Sequence, residues 1–245
     1  MERPAEVVDR LRGRIENAVF RPASGRVRLS TEPRWHERLH EALGVAWPCS
    51  AVQRFDAIWA EVGHQIQAAG LGHDADVALA QGVFCLTHHL RPRQVVETGV
   101  ARGVTSRMIL EGLDSAKARL WSIDLPLVKS EWHDQVAAAV PQRLRARWTY
   151  IRGSSRSRLV PLLRRLGQID LFVQDSLHTR PTVLFECRAA WRALRPGGVL
   201  LVDDADLSDG FLRFVREIRP NVAVAAPHER KRGAFGIVIK EASAR

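Results

Sequence analysis

The segment from Val95 to Ser106 constrains the fold of this chain more than any other. An apolar run ends in Glu97-Thr98-Gly99-Val100-Ala101-Arg102-Gly103 and leads into a helical pattern of apolar residues. A strand that stops on an acid, turns through glycines and opens a helix presents backbone N–H groups and small side chains to its surroundings. The segment therefore predicts a strand, a tight turn and a helix that a nucleotide-like ligand can approach closely.

A second acid follows about twenty residues downstream, where the run Leu120–Asp124 predicts another strand. A carboxylate at this strand end would accept hydrogen bonds from ribose hydroxyls. The loop lacks the G-x-G-x-x-G spacing of dinucleotide sites and keeps the Glu97 carboxylate, which disfavours a phosphate. S-adenosylmethionine is a cationic nucleoside without phosphates, so we predict it as the cofactor. Glycine turns that bind nothing are also common between a strand and a helix, and that alternative stays open for the loop alone.

From about Arg91 to Lys240 the chain resembles class I S-adenosylmethionine-dependent methyltransferases, in particular small-molecule O-methyltransferases of the catechol and macrolide-sugar type. The segments that carry the resemblance, in the expected order, are 97–103, 122–124, 153–155, 170–178 and 196–204. The resemblance implies a Rossmann-like sheet of seven mostly parallel strands with an antiparallel last strand. The residues predicted to bind the cofactor are Glu97, Gly99, Ala101, Gly103, Thr105, Asp124, Leu125, Ser154, Ser155 and Asp175. For the two serines, a role as helix caps is the alternative.

Three acids are predicted to meet at one edge of the sheet. Asp175 follows the apolar strand 169–174, and Asp203 and Asp204 follow the apolar strand 198–202. If these strands are neighbours, the carboxylates converge in the crevice where open α/β sheets bind ligands. Crowded carboxylates raise one another's pKa or recruit a cation, and oxygen ligands suit Mg²⁺. The sequence thus predicts a magnesium site that would orient a substrate hydroxyl, with solvated turn or cap residues as the alternative.

His178 lies three residues after Asp175, and we predict that it acts as the general base, with Asp175 also at the catalytic centre. In the resembling families a lysine or histidine base occupies this offset from the first metal-binding aspartate. A histidine that only caps or packs is the alternative. Gln174 and Leu177 depart from the family pattern, where glycine or serine is common in the sugar-modifying branch. Asp206 and Asp209 are predicted to be surface or cap residues.

The chain is predicted to have two parts, an N-terminal helical region over 1–90 that forms part of the substrate wall, and a cofactor-binding domain over 91–245. Alternating strands and helices in the second part imply right-handed crossovers and a parallel sheet covered by helices on both faces. The predicted strands are 94–98, 120–124, 148–151, 169–174, 198–202, 222–225 and 234–240. The predicted helices are 104–113, 131–146, 156–166, 181–194 and 211–218. The last two strands are joined by a basic loop, Pro227 to Gly233, and their short connection favours antiparallel pairing.

The three cysteines and four of the histidines carry no recognisable motif. Cys49, Cys85 and Cys187 lack metal-ligand spacing, so they are predicted to be reduced and mostly buried. No chemistry is assigned to His36, His40, His88 and His89.

The composition fits a globular enzyme, with 245 residues, 46% hydrophobic and 26% charged. The sequence has neither a signal-peptide core nor an apolar run long enough to cross a bilayer, so a cytoplasmic protein without membrane contact is expected. A net charge of +10 raises nucleic acid as a partner. The charge is mostly arginine spread along the chain, without interleaved aromatic residues, which disfavours that partner. Self-association into a homo-oligomer is left open.

Two hypotheses of function follow. The favoured one is metal-assisted O-methylation of a small molecule, such as a sugar or phenol of secondary metabolism or antibiotic biosynthesis. The rival is a nucleic-acid methyltransferase, or a catalytically silent binding module, on the same fold.

Overall fold

The structure, a computed structural model, describes residues 4–20, 25–72, 75–125 and 135–241. Its centre is a seven-stranded sheet with the strand order β3-β2-β1-β4-β5-β7-β6. The strands are β1 Gln94–Thr98, β2 Arg119–Asp124, β3 Trp148–Arg152, β4 Ile169–Gln174, β5 Leu194–Val202, β6 Val222–Pro227 and β7 Ala234–Ile239. The helices are α1 Pro4–Phe20, α2 Trp35–Ala42, α3 Ala51–Ala68, α4 Val77–Leu90, α5 Val104–Gly112, α6 Ser155–Leu166, α7 Arg180–Ala193 and α8 Gly210–Ile218.

Strands β1 to β5 pair in parallel, and β7 lies antiparallel between β5 and β6. The predicted fold class is therefore confirmed, including the antiparallel insertion of the last strand. Val95, Leu171 and Phe172 are fully buried because helices cover both faces of the sheet. The direction of strand order reverses between β1 and β4, which is the point where open α/β sheets bind ligands.

Two hydrophobic cores lie on the two faces of the sheet. One includes Phe55 of α3 and Phe84 of α4 together with Val95 and Leu171 of the sheet. The other packs side chains of α6, α7 and α8 against the opposite face. Helices α3 and α4 thus pack beside the sheet, as expected. The division of the chain at residue 90 stays a prediction.

Helix α1 turns its polar side inward. Val8 and Ile15 are more than 60% exposed, whereas Glu6 and Glu16 are buried. The Glu16 carboxylate accepts hydrogen bonds from Thr179 and Thr182, at 2.8 and 2.7 Å. The predicted helix is present, but polar contacts attach it to the domain, and its apolar stripe is exposed.

The remaining differences from the sequence predictions are local. The predicted helix 131–146 begins outside the described residues, and from 135 on the chain forms turns and a short 3₁₀ helix, Gln142–Arg147. Strand β5 starts at Leu194, four residues earlier than predicted. The prediction for Asp206 was wrong: it is buried, and its Oδ1 accepts hydrogen bonds from Arg26 Nη1 and the Ala234 N–H. Among the described residues, no helix combines the length and apolar character needed to span a bilayer.

Candidate cofactor and acceptor site

A cavity of about 640 Å³ opens at the carboxyl ends of β1, β2 and β4. This volume lies within the usual range for a small-molecule or cofactor site. Helix α1 forms the opposite wall, with Arg10, Gly13 and Asn17 among its lining residues. Of the residues predicted to bind the cofactor, the cavity is lined by Gly99, Ala101, Thr105, Asp124, Leu125, Ser154, Ser155 and Asp175. Glu97 and Gly103 are not on its wall.

Gly99 allows the loop after β1 to cross the end of β4. Its φ is +88°, and a Cβ at this position would lie 1.9 Å from the carbonyl oxygen of Asp175. The Asp175 N–H donates to the Thr98 carbonyl at 2.8 Å, which holds the two strand ends together. From the sequence, Gly99 was predicted to let a ligand approach closely. The crossing of the two backbone segments also requires a glycine at this position.

Gly103 fulfils a similar need at the start of α5. Its φ is +81°, and a Cβ there would come 2.9 Å from the Cα of Ala137. This glycine therefore permits close packing between two loops, which explains its place outside the cavity wall.

Glu97 is fully buried at the end of β1. Its Oε2 accepts hydrogen bonds of 2.6 Å from Ser106 Oγ and from Ser122 Oγ. The carboxylate therefore ties the first turn of α5 and strand β2 to β1. Its predicted contact with a cofactor stays a prediction, while the structure shows how it positions the glycine loop.

Asp124 lies on the cavity wall at the end of β2. It accepts hydrogen bonds from the backbone N–H groups of Val100 and Leu125, and Tyr150 Oη lies 3.4 Å from its Oδ2. Burial raises the pKa of Asp124, and the hydrogen bonds partly offset that rise. Together with the backbone cradle at Gly99, this acceptor fits the hydroxyl-rich nucleoside of S-adenosylmethionine.

Ser154 joins the cavity to α1. It occupies the N-cap position of α6 but makes no side-chain cap hydrogen bond. Its hydroxyl instead donates to the carboxylate of Asp9 on α1. The helix that covers the cavity is therefore anchored at a residue predicted to bind the cofactor.

The structure brings two of the three predicted metal ligands together beside His178. Strands β4 and β5 are neighbours, with Gln174 opposite Val202. Asp175, His178 and Asp203 each offer one ligand atom, and these three atoms lie within 4.8 Å of one another. Asp204 belongs to a second group of the same kind, with Asp203 and His228.

A lysine and a histidine from the loop between β6 and β7 contact these acids. Lys231 Nζ lies 2.9 Å from Asp203 Oδ2 and 3.2 Å from Asp204 Oδ2. His228 Nε2 lies 3.2 Å from Asp203 Oδ1 and 3.6 Å from Asp204 Oδ1. Both carboxylates thus face positive or ionisable nitrogen atoms of this chain. We call Asp203, Asp204, His228 and Lys231 the ion cluster.

Asp76 holds the loop in this position. Its Oδ2 accepts hydrogen bonds from the backbone N–H groups of Arg230 at 2.7 Å and Lys231 at 3.2 Å, and its Oδ1 accepts one from Glu229 at 3.1 Å. Asp76 is also the N-cap of α4, where Oδ1 accepts from the Ala78 N–H. One buried carboxylate therefore fixes both a helix start and the loop that carries Lys231.

The pKa shifts in the ion cluster follow from these contacts. Burial alone would raise the pKa of Asp203, but the adjacent His228 and Lys231 outweigh it and lower that pKa. Burial alone would lower the pKa of His228, but the two carboxylates raise it to about 9. The pKa of Lys231 is raised for the same reason. Asp175 lies at the edge of the cluster, where burial and the charge of Asp203 raise its pKa.

The described residues do not fit an open site for a divalent ion at Asp203 and Asp204. Each of their four carboxylate oxygens lies within 4 Å of a nitrogen atom of Lys231 or His228, and Arg26 also contacts Asp204. A bound Mg²⁺ would have to displace these groups. Magnesium therefore stays a prediction.

His178 lines a second, smaller cavity of about 230 Å³. Asn17, Ser176 and Leu177 line both cavities, so the two adjoin. His178 Nε2 lies 4.0 Å from Asp175 Oδ1. Burial lowers the pKa of His178, which favours the neutral imidazole that a general base needs.

The contacts of Asp76, His228 and Lys231 near the site were not predicted from the sequence. The only signal for the last two was the basic loop Pro227 to Gly233, whose position opposite the acids depends on how β7 inserts into the sheet. Asp76 carried no signal except its place before an apolar helix.

Comparison with known proteins indicates which class of protein this chain resembles. Residues 96–205 match the family model described as a methyltransferase domain. No curated protein matches the sequence at a significant level. Over these residues the chain is thus similar to a methyltransferase domain, and the resemblance seen in the sequence is confirmed.

Solved structures show the same fold. The O-methyltransferase TomG from Streptomyces achromogenes, in complex with SAM, has a TM-score of 0.59 and 16% identity, over 75% of this chain and 89% of that chain. An O-methyltransferase from Bacillus cereus, in complex with SAH, has a TM-score of 0.57 and 18% identity, over 76% and 91%. A protein from Klebsiella pneumoniae titled as an O-methyltransferase has a TM-score of 0.57 and 20% identity, over 86% and 97%. At these identities the likeness establishes the Rossmann-like methyltransferase fold.

Proposed function

We propose that this protein transfers the methyl group of S-adenosylmethionine to a hydroxyl of a small molecule. The observation that carries the proposal is the pair of adjoining cavities, one with the cofactor residues and one with His178. The two similar structures in complex with SAM and SAH are O-methyltransferases, which supports the same chemistry.

In this proposal the larger cavity holds the cofactor. Asp124 accepts hydrogen bonds from the ribose hydroxyls, and the backbone around Gly99 lies against the nucleoside. S-adenosylmethionine, when bound, supplies an electrophilic methyl group. The arginines of α1 line one wall of the cavity, and the hydrogen bond from Ser154 to Asp9 holds that helix over it.

The smaller cavity receives the acceptor hydroxyl. The neutral imidazole of His178 takes the hydroxyl proton as the oxygen attacks the methyl carbon. The nearby carboxylates of Asp203 and Asp204 favour the imidazolium that forms. The volume of about 230 Å³ suits a single ring, and we propose a phenol or a sugar of secondary metabolism.

We further propose that Lys231 supplies the positive charge for which the sequence predicted a divalent ion. Its ammonium balances Asp203 and Asp204, so His178 can accept a proton without a metal to organise the acids. Methyl transfer should then be unchanged by EDTA. Loss of activity with EDTA and its return with Mg²⁺ would contradict this role for Lys231 while leaving methyl transfer itself intact.

Calorimetry with S-adenosylmethionine is the first test, followed by transfer from the radiolabelled cofactor to a panel of phenols, sugars, RNA and DNA. We expect micromolar cofactor binding and label in a small-molecule hydroxyl. Absence of cofactor binding would refute the proposal, and label found only in nucleic acid would favour the alternative.

A further inference from the structure

A second group of metal-ligand side chains lies in the N-terminal helical region, outside the site described above. His40 of α2, Cys49 between α2 and α3, and His89 of α4 each offer one ligand atom, and the three atoms lie within 4.8 Å of one another. None of these residues lines either cavity. Cys49 and His40 are buried, and the group belongs to the core beside the sheet.

The two imidazoles are oriented as metal ligands would be. His40 Nδ1 lies 2.7 Å from the His36 carbonyl oxygen, so Nδ1–H donates there and Nε2 keeps its lone pair. His40 Nε2 and His89 Nε2 are buried, and neither has a hydrogen-bond partner among the described residues. A buried polar atom without a partner destabilises the folded state. A carbonyl that fixes the tautomer of a histidine is a common feature of metal sites.

Cys85 lies beside this group, although its Sγ is not one of the three atoms that lie within 4.8 Å of one another. Its Sγ lies 3.9 Å from Cys49 Sγ. Two sulfur atoms bound at the usual 2.3 Å to one tetrahedral zinc ion are about 3.8 Å apart. Cys85 and His89 are also four residues apart on α4, so they lie on one face of that helix.

We propose that His40, Cys49, Cys85 and His89 form a structural zinc site. The donors are soft, and two thiolates with two neutral imidazoles balance the charge of Zn²⁺, which suits a buried position. Binding displaces one proton from each thiol to solvent. The ion would join α2, the segment at Cys49 and α4, whose N-cap Asp76 holds the loop that carries Lys231.

The test is the metal content of the untagged full-length protein, made in zinc-supplemented medium and measured by mass spectrometry. We expect a single zinc ion per chain. Replacement by Co²⁺ should give the visible bands of a tetrahedral cobalt–thiolate centre. Wild-type protein that holds no zinc and takes up no cobalt in this form would overturn the proposal.

Variants then assign the ligands. Cys49→Ser and His89→Ala should each lose the zinc, whereas Cys187→Ser, a buried cysteine of the opposite core, should keep it. Zinc retained by both ligand variants would overturn the site. Binding of S-adenosylmethionine to the same samples shows that the domain is folded, and its result decides the proposed function separately.

Discussion

The acids at the strand ends fall into two groups with different partners. Glu97 and Asp124, on the proposed cofactor side, accept hydrogen bonds from serine hydroxyls and backbone N–H groups. Asp203 and Asp204, on the proposed acceptor side, face the side chains of Lys231 and His228. Both groups share one sequence feature, an acid at the end of a strand. In the first group the acids accept hydrogen bonds from neutral donors, whereas in the second they contact charged or ionisable side chains.

The difference has a physical reason. One buried carboxylate is stabilised by a few neutral donors, as Glu97 shows, because hydrogen bonds replace its lost hydration. Consecutive carboxylates beside Asp175 also repel one another, and only a positive charge offsets that repulsion at short range. The chain supplies it from the loop held by Asp76. The acceptor side thus depends on a distant part of the sequence, and the cofactor side does not.

The largest effect is expected at His178. His178→Ala should lower kcat by about 10²- to 10⁴-fold, because no other group then takes the proton, while cofactor affinity stays the same. Steady-state kinetics and calorimetry measure the two quantities. The exposed His64→Ala serves as the control. A His178→Ala variant with near-normal kcat would show that His178 is not the general base.

Lys231→Ala tests the charge balance directly. We expect a loss of roughly 10²-fold in kcat, as for other groups that stabilise charge near a reacting centre. Mg²⁺ should restore part of the activity of this variant and leave wild type unchanged, since the vacated acids can then bind it. Arg230→Ala, in the same loop, should change kcat by less than about twofold. Stimulation of the wild-type protein by Mg²⁺ would contradict the proposal that Lys231 supplies the positive charge in place of a divalent ion.

On the cofactor side, Gly99→Ala should weaken S-adenosylmethionine binding. Its Cβ would meet the Asp175 carbonyl, and overpacking of about 1–3 kcal/mol corresponds to a loss of affinity of roughly fivefold to 150-fold. Gly44→Ala is the matched control, since Gly44 also has a positive φ, +68°, but nothing lies within 4 Å of its Cβ position. Equal losses in both variants would show that backbone strain, and not the crossing, sets the affinity.

Most of the sheet could be predicted from the sequence because most of its strands contain apolar runs bounded by turns. The strand ends, and with them Asp124, Asp175 and Asp203, followed from the same pattern. Partners that come from elsewhere in the chain could not be predicted. Lys231 reaches the acids only because β7 inserts beside β5, and the cysteines and histidines meet through helix packing that no local spacing encodes.

The inward polar side of α1 was missed for a related reason. Helical periodicity shows an apolar stripe but not which side faces the protein. Here Glu16 contacts Thr179, Thr182 and Arg156 of the domain. These contacts outweigh the gain that burial of Val8 or Ile15 would bring.

The pH dependence of wild-type kcat is the smallest expected effect and compares the two sides in one measurement. Burial lowers the pKa of His178 from its ordinary value of 6.5, so the imidazole is already neutral at pH 7. Activity should fall only as the pH drops below 6.5, through that lowered pKa, and should stay level from pH 7 to 8. His178→Ala should abolish the acidic limb. A rise centred between pH 7 and 8 would mean that the acids of the ion cluster hold His178 protonated, and that Lys231 does not balance them.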